Sequence, residues 1–302
     1  MCTIATIAVG CGRLNFVHHD EPDAREMDGD AQTRDAPPDA LGTCDPAAPF
    51  GTPVLIAELS DPIVADGTLR LMTDELTGYF WSFRLNGTDA EIYLAKRPDL
   101  ATPFTITHVS ALGSTSNELD PTVSTDGTVM VLRRSKPGDD LYVASRTGDL
   151  TFGTPTAITS LDTTGVEAQG FLQPTGNELY FESARTGGGD IYRSVRTGTT
   201  FAAPSQVSEL STGSEEGDPV VTADGLTIYF RSNRPATPLG FNIYVATRAS
   251  VADPFGAATL VPNVSSDGDD GPSSISADGC RLYLSSDRAG TNDIYVATRT
   301  AP

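Results

Sequence analysis

From about residue 50 onward, apolar and polar positions alternate in runs of five or six residues, each cut short by a turn signal. The run Leu226 to Phe230 follows Asp224-Gly225 and stops at Ser232-Asn233-Arg234. Period-two runs of this length, opened by Asp-Gly, predict half-buried strands joined by tight hairpins. The same unit recurs without a gap at Asp74–Arg84, Asp126–Lys136, Thr175–Arg185 and Asp278–Arg288. A second apolar run follows each one, at Glu91–Arg97, Asp140–Arg146, Asp190–Arg196, Asn242–Arg248 and Asp293–Arg299. Its tyrosines, Tyr93, Tyr142, Tyr192, Tyr244 and Tyr295, are 49, 50, 52 and 51 residues apart. Five copies of a fifty-residue unit define a repeat architecture.

Each repeat holds four strands. A short strand precedes the Asp-Gly turn, as in Asp120–Ser124 and Asp218–Thr222, and a last one is introduced by an aromatic, as at Phe152, Phe201 and Phe255. One such sheet cannot bury both faces alone, whereas five stacked around an axis can. The expected fold is therefore all-β: a five-bladed β-propeller of four-stranded antiparallel blades. The chain ends after the third strand of repeat five, and Phe50–Leu59 supplies the missing fourth strand. This N-terminal clasp would close the ring and remove its open edges. The propeller is expected over residues 45–302.

The phrase Asp-Pro-x-Val, Asp-Gly, Tyr-Phe-x-Ser-x-Arg and Asp-Ile-Tyr-Val-Ala-Thr-Arg resembles the WD40-like (PD40) repeat of TolB-type propellers. The resemblance covers nearly everything after the first 44 residues and implies a periplasmic or surface location. Six blades and an extra N-terminal domain are usual in that family; here there are five repeats.

Upstream, Thr3 to Gly10 is a short apolar run ending in Ala8-Val9-Gly10-Cys11, similar to a bacterial lipobox with Cys11 as the lipidated residue. The run is too short to span a membrane. Gly12 after the cysteine implies the outer membrane, with residues 1–11 as the leader. Residues 12–44 are acidic and proline-bearing, with few large apolar side chains, and read as a disordered tether. Cys44 and Cys280 are the two cysteines outside the leader. Cys44 precedes the clasp and Cys280 sits in the first turn of the blade the clasp completes, so a disulfide between them is expected in an oxidising compartment.

Twenty Lys+Arg against forty Asp+Glu give a net charge of −20. That charge repels nucleic acid and anionic lipid, leaving the N-terminal lipid as the membrane contact. Three histidines, two of them in the tether, leave little for a histidine triad or a multi-histidine metal site. The loops feeding the innermost strands carry acids: Glu118 and Asp120, Glu216 and Asp218, and Asp267, Asp269 and Asp270. They are the candidate binding residues of an acidic axial mouth, together with Trp81, which replaces smaller or charged residues of the other repeats. Such oxygens suit Ca²⁺ at Asp267, Asp269 and Asp270, or a basic protein partner. No other cofactor is indicated, and a monomer is expected.

The chain contains no Gly-x-Ser-x-Gly elbow and no zinc-ligand spacing. The expected function is thus a cell-envelope binding or scaffolding module, not an enzyme. The alternative is a glycan-binding or glycoside-hydrolysing five-bladed propeller using axial carboxylates such as Asp120, Asp218 and Asp270.

Overall fold

The computed structural model describes residues 44–135, 138–174, 177–236 and 240–300. The expected leader, Cys11 and most of the tether lie outside the described residues, as do Lys136 and Thr175. Five antiparallel sheets form the blades of a propeller, and no helix occurs among the described residues. The innermost strands are Asp66–Leu71, Glu118–Val123, Glu167–Leu172, Glu216–Val221 and Asp270–Ile275. The second strands are Thr77–Ser82, Val129–Arg134, Glu178–Ser183, Thr227–Ser232 and Arg281–Ser286. The third strands carry the tyrosine phrase, and fourth strands of two to four residues lie outermost.

Closure follows the repeat count. Val54 pairs with Val296 and Leu55 with Tyr295, while Phe50 bridges to Arg299. The N-terminal segment thereby becomes the outer strand of blade five, and Cys44 is bonded to Cys280 with Cα atoms 5.9 Å apart.

The core lies between neighbouring sheets, where Tyr79, Phe80, Tyr180, Phe181 and Phe230 are fully buried. The repeated arginine organises each blade. Arg84, Arg185, Arg234 and Arg288 stack on the third-strand tyrosine of their own blade, at 4.6–5.3 Å from the ring centroid. They also bond the crossover carbonyls of Leu59, Leu161, Leu210 and Val264. Their ion-pair partner is the acid that opens the innermost strand, Asp66, Glu167, Glu216 or Asp270. In blade two the role passes to Arg134, which holds Glu118 and the Leu112 carbonyl.

Two expectations are corrected by this network. Glu118, Glu216 and Asp270 do not face the axis; each is fully buried and neutralised by its blade's arginine. The Ca²⁺ triad does not assemble either. Asp270 turns inward to Ser266 and Arg288, exposed Asp269 accepts from the Phe241 amide, and Asp267 stays exposed. Among the described residues, no three His, Cys, Asp or Glu gather to hold a metal ion.

Candidate functional site

The axis is lined from two positions of each blade. The first is the third residue of the innermost strand: Thr68, Asp120, Gln169, Asp218 or Pro272. In blades one to four the register of the two inner strands slips around this residue. Thr68, Asp120, Gln169 and Asp218 there take φ values of 47–54°, in the left-handed region. A bulge of this kind re-aims one side chain, and it is held in a sparsely populated conformation only when the surroundings impose it. Here it turns the side chain into the ring of its four counterparts. The second position is the fifth residue of the second strand: Trp81, Arg133, Glu182, Arg231 or Ser285.

The two sets mesh across blades. Asp120 accepts from the Thr68 hydroxyl at 3.0 Å, from Arg133 Nε at 2.9 Å and from the Gln169 amide at 3.2 Å. The Trp81 indole donates to Thr68 Oγ1 at 3.1 Å. Gln169 Oε1 accepts from the Asp218 amide at 2.7 Å. One guanidinium, that of Arg231, lies 3.3 Å from Glu182 Oε2 and 3.4 Å from Asp218 Oδ2. Two oxygens touching one rigid fork are at most about 9 Å apart, so carboxyl groups from two neighbouring blades meet at one guanidinium.

Burial raises the Glu182 carboxyl to about 7, with Asp218 and Asp120 adding to the rise and Arg231 opposing it. Burial also raises Asp218, against the pull of Arg231, Arg70 and Arg133. Beneath the ring, Arg70 crosses the axis: its guanidinium stacks 5.0 Å from the Phe171 ring and donates to the Ser273 carbonyl. The centre is therefore not a uniformly acidic mouth. Arg70, Arg133 and Arg231 are interleaved with Asp120, Glu182 and Asp218, which leaves one carboxyl protonatable near neutrality.

The close fit depends on Gly217, the neighbour of Asp218. A Cβ there would overlap Glu182 Oε2 and lie 2.5 Å from Gln169 Oε1. Gly217→Ala is expected to push Glu182 out of place and destabilise the fold by about 1–3 kcal/mol, as overpacking does. Chemical denaturation read alongside ligand binding checks it; an unchanged midpoint would mean that the ring is loose.

Of the residues expected at the mouth, the structure brings Asp120, Asp218 and Trp81 to the axis. It places Glu118, Glu216, Asp269 and Asp270 elsewhere. Glu182, Arg133, Arg231, Gln169 and Arg70 were not anticipated, although a signal for the first three was present. The fifth residue of the second strand is Trp, Arg, Glu, Arg and Ser in the five blades, while the two residues before it are apolar or aromatic in all of them. In a repeat protein, such variation marks the place where the copies have separate jobs.

No protein-family model matches the chain, and no curated protein matches it in sequence. Solved structures do match in shape. The α-L-arabinofuranosidase PaAbf62A of Podospora anserina, solved with cellotriose, superposes with a TM-score of 0.54 at 11% identity, over 86% of this chain and 99% of that one. The catalytic domain of the Coprinopsis cinerea GH62 α-L-arabinofuranosidase gives 0.54 at 10% identity, over 84% and 96%. TolB of Acinetobacter baumannii gives 0.49 at 18% identity over 78% of this chain, which spans 55% of that protein's length. At these identities the likeness shows the fold. The expectation of a non-enzyme is nonetheless corrected: glycoside hydrolases share this propeller over almost their whole catalytic length.

Proposed function

We propose that the axial site binds a glycan and hydrolyses a glycosidic bond. The observation that carries this reading is the Glu182–Arg231–Asp218 arrangement, in which one guanidinium joins a carboxyl that titrates near 7 to a second buried carboxylate. Glu182, protonated below that pH, serves as the general acid: its proton goes to the glycosidic oxygen as the bond to the anomeric carbon breaks. Asp218, whose carboxyl burial raises against the pull of Arg231, acts in its ionised form on the opposite side of the anomeric carbon. If it takes the proton of an attacking water, the product has inverted configuration; if it attacks directly, a second displacement by water retains it. Asp120 is locked by three donors and holds the charge balance of the ring. Trp81, edge-on to Phe83 at 5.8 Å, offers an aromatic face with a polar edge at the blade-one side of the mouth.

An exported setting fits this reading, because a cystine such as Cys44–Cys280 persists in oxidising compartments. A leader ending at Cys11 would deliver and tether the chain there.

The test is hydrolysis of a panel of aryl glycosides and oligosaccharides by the full chain, with arabinofuranosides first because of the shared shape. At least one should be turned over by the wild type and by Asp99→Asn, an exposed control, and Asp218→Asn should lower its kcat by about 10²-fold or more. Failure of every sugar to react or to raise the melting temperature would overturn the proposal.

A further inference from the structure

Arg70, the fifth residue of the innermost strand of blade one, is 4% exposed and lies beneath the carboxylate ring. Contacts on two blades place it there. Thr68, two residues earlier on the same strand, donates to Asp120 Oδ1. On blade five, Arg70 Nη1 donates to the Ser273 carbonyl. Two residues before Ser273, Gly271 abuts Asp218, since a Cβ there would overlap Asp218 Oδ2. Two residues along a strand span about 7 Å, so the guanidinium sits about one such step from both carboxylates. Phe171 of blade three stacks 5.0 Å from it and fixes its plane. Glu182 is held elsewhere, against Gly189 and Gly217, where a Cβ would meet its oxygens.

The charge on Arg70 is not cancelled. Asp120 and Asp218 form their ion pairs with Arg133 and Arg231, and among the described residues no carboxylate lies within ion-pair distance of Arg70. Its Nε and Nη2 have no hydrogen-bond partner among those residues either. A buried cation without a counter-ion is costly, and its field reaches its neighbours unscreened by water.

We propose that Arg70 is a positioning residue for the axial reaction: its unpaired charge keeps Asp218 and Asp120 ionised, so that the exchangeable proton of the ring stays on Glu182. This assignment rests on the glycosidase reading, in which Glu182 is the acid and Asp218 acts as a carboxylate. The coupling is uneven in the required sense. Asp218 and Asp120 act on Arg70 through space, and Arg70 opposes the rise that burial imposes on Asp218. The charges that bear most on Glu182 are those of Arg231, Asp218 and Asp120. Burial brings Arg70 itself down only to about 10, so it stays charged around neutral pH. Asp218 also faces Arg231 on its own blade, Asp120 and Arg133 from blade two and Glu182 from blade three. Blade five presents Gly271 and Pro272, which carry no charge.

The experiment is a carbon-13 NMR titration of the side-chain carboxyls in the full chain, for wild type, Arg70→Met and Arg70→Lys. Asp218→Asn and Glu182→Gln assign the two resonances. In Arg70→Met the Asp218 midpoint should rise by about 1–2 pH units, as for a charge about 7 Å away at an effective dielectric constant of about 20. The Glu182 midpoint should move much less, and Arg70→Lys, which keeps the charge, should stay with wild type. Arg70→Gln, neutral but polar, gives the same readout should the methionine variant not fold. On a glycoside that wild type turns over, the acidic limb of the kcat/KM profile should rise with the Asp218 midpoint, ahead of the alkaline limb. An Asp218 midpoint unchanged in the neutral variants, or raised equally in Arg70→Lys, would overturn the proposal. The titration needs no substrate, so absence of turnover removes the glycosidase reading while the effect of Arg70 on Asp218 is still measured.

Discussion

Glu182→Gln is expected to abolish hydrolysis while making the protein more stable above neutral pH. On the activity side, an amide cannot deliver the proton, and loss of general-acid assistance lowers kcat by about 10²–10⁴-fold. The effect should be largest for substrates with poor leaving groups. On the stability side, the Glu182 carboxyl titrates near 7 in the fold against 4.5 when unperturbed, because burial disfavours its charged form. The folded chain therefore holds this proton more tightly than the unfolded chain does. The stability it contributes is complete below about pH 4.5 and is lost as pH rises through 7. By pH 8 the ionised group costs about 3 kcal/mol, which the uncharged amide does not. Denaturation midpoints of wild type and variant should converge near pH 4.5 and separate by pH 8, with the variant higher. Identical pH profiles would show that Glu182 is not desolvated; unchanged turnover would remove it from the chemistry. Asp218 titrates in the same field, so the two carboxyls are read as a coupled pair.

Removing the Cys44–Cys280 bond should have the second largest effect. The bond spans 236 residues and joins the chain just before the clasp to the first turn of the blade that the clasp completes. The clasp itself is slight, since two residues pair in register and Phe50 adds one bridge. A cross-link across so long a loop restricts the unfolded chain, and its loss costs about 3–5 kcal/mol. The double variant Cys44→Ser/Cys280→Ser should melt roughly 10 °C lower than wild type. Wild type treated with reductant should match it. A double variant that melts with the oxidised wild type would show that the closed ring does not depend on the bond.

Much of the architecture was legible without coordinates because propeller repeats are local: each blade's pattern, turn chemistry and spacing are written within fifty residues. The tyrosine phrase became the third strand in all five blades, and the count of third and fourth strands required the clasp. The same locality misled at the site. Acids adjacent in sequence to the axis, Glu118, Glu216 and Asp270, looked like mouth residues, but each opens its innermost strand and is claimed by an arginine of its own blade. Asp120 and Asp218, expected at the mouth, do reach the axis although proline follows both. Their counterparts Thr68, Gln169 and Pro272 show that the position varies.

The sequence by itself determined the number of blades, the strand order within them, the closure of the ring and the two cysteines available for a bond, since all of these follow from periodicity and from residues a few positions apart. Only the tertiary structure decided which side chains meet on the axis. That choice rests on a bulge that turns one residue inward in each of blades one to four, and on Gly217, whose missing side chain leaves room for Glu182 of the preceding blade. Glu182 and Asp218 lie on different blades and share one guanidinium, so the raised pKa of Glu182 comes from burial and from charges brought together across the axis. No local pattern encodes that encounter; it exists only when five sheets stack around a common centre.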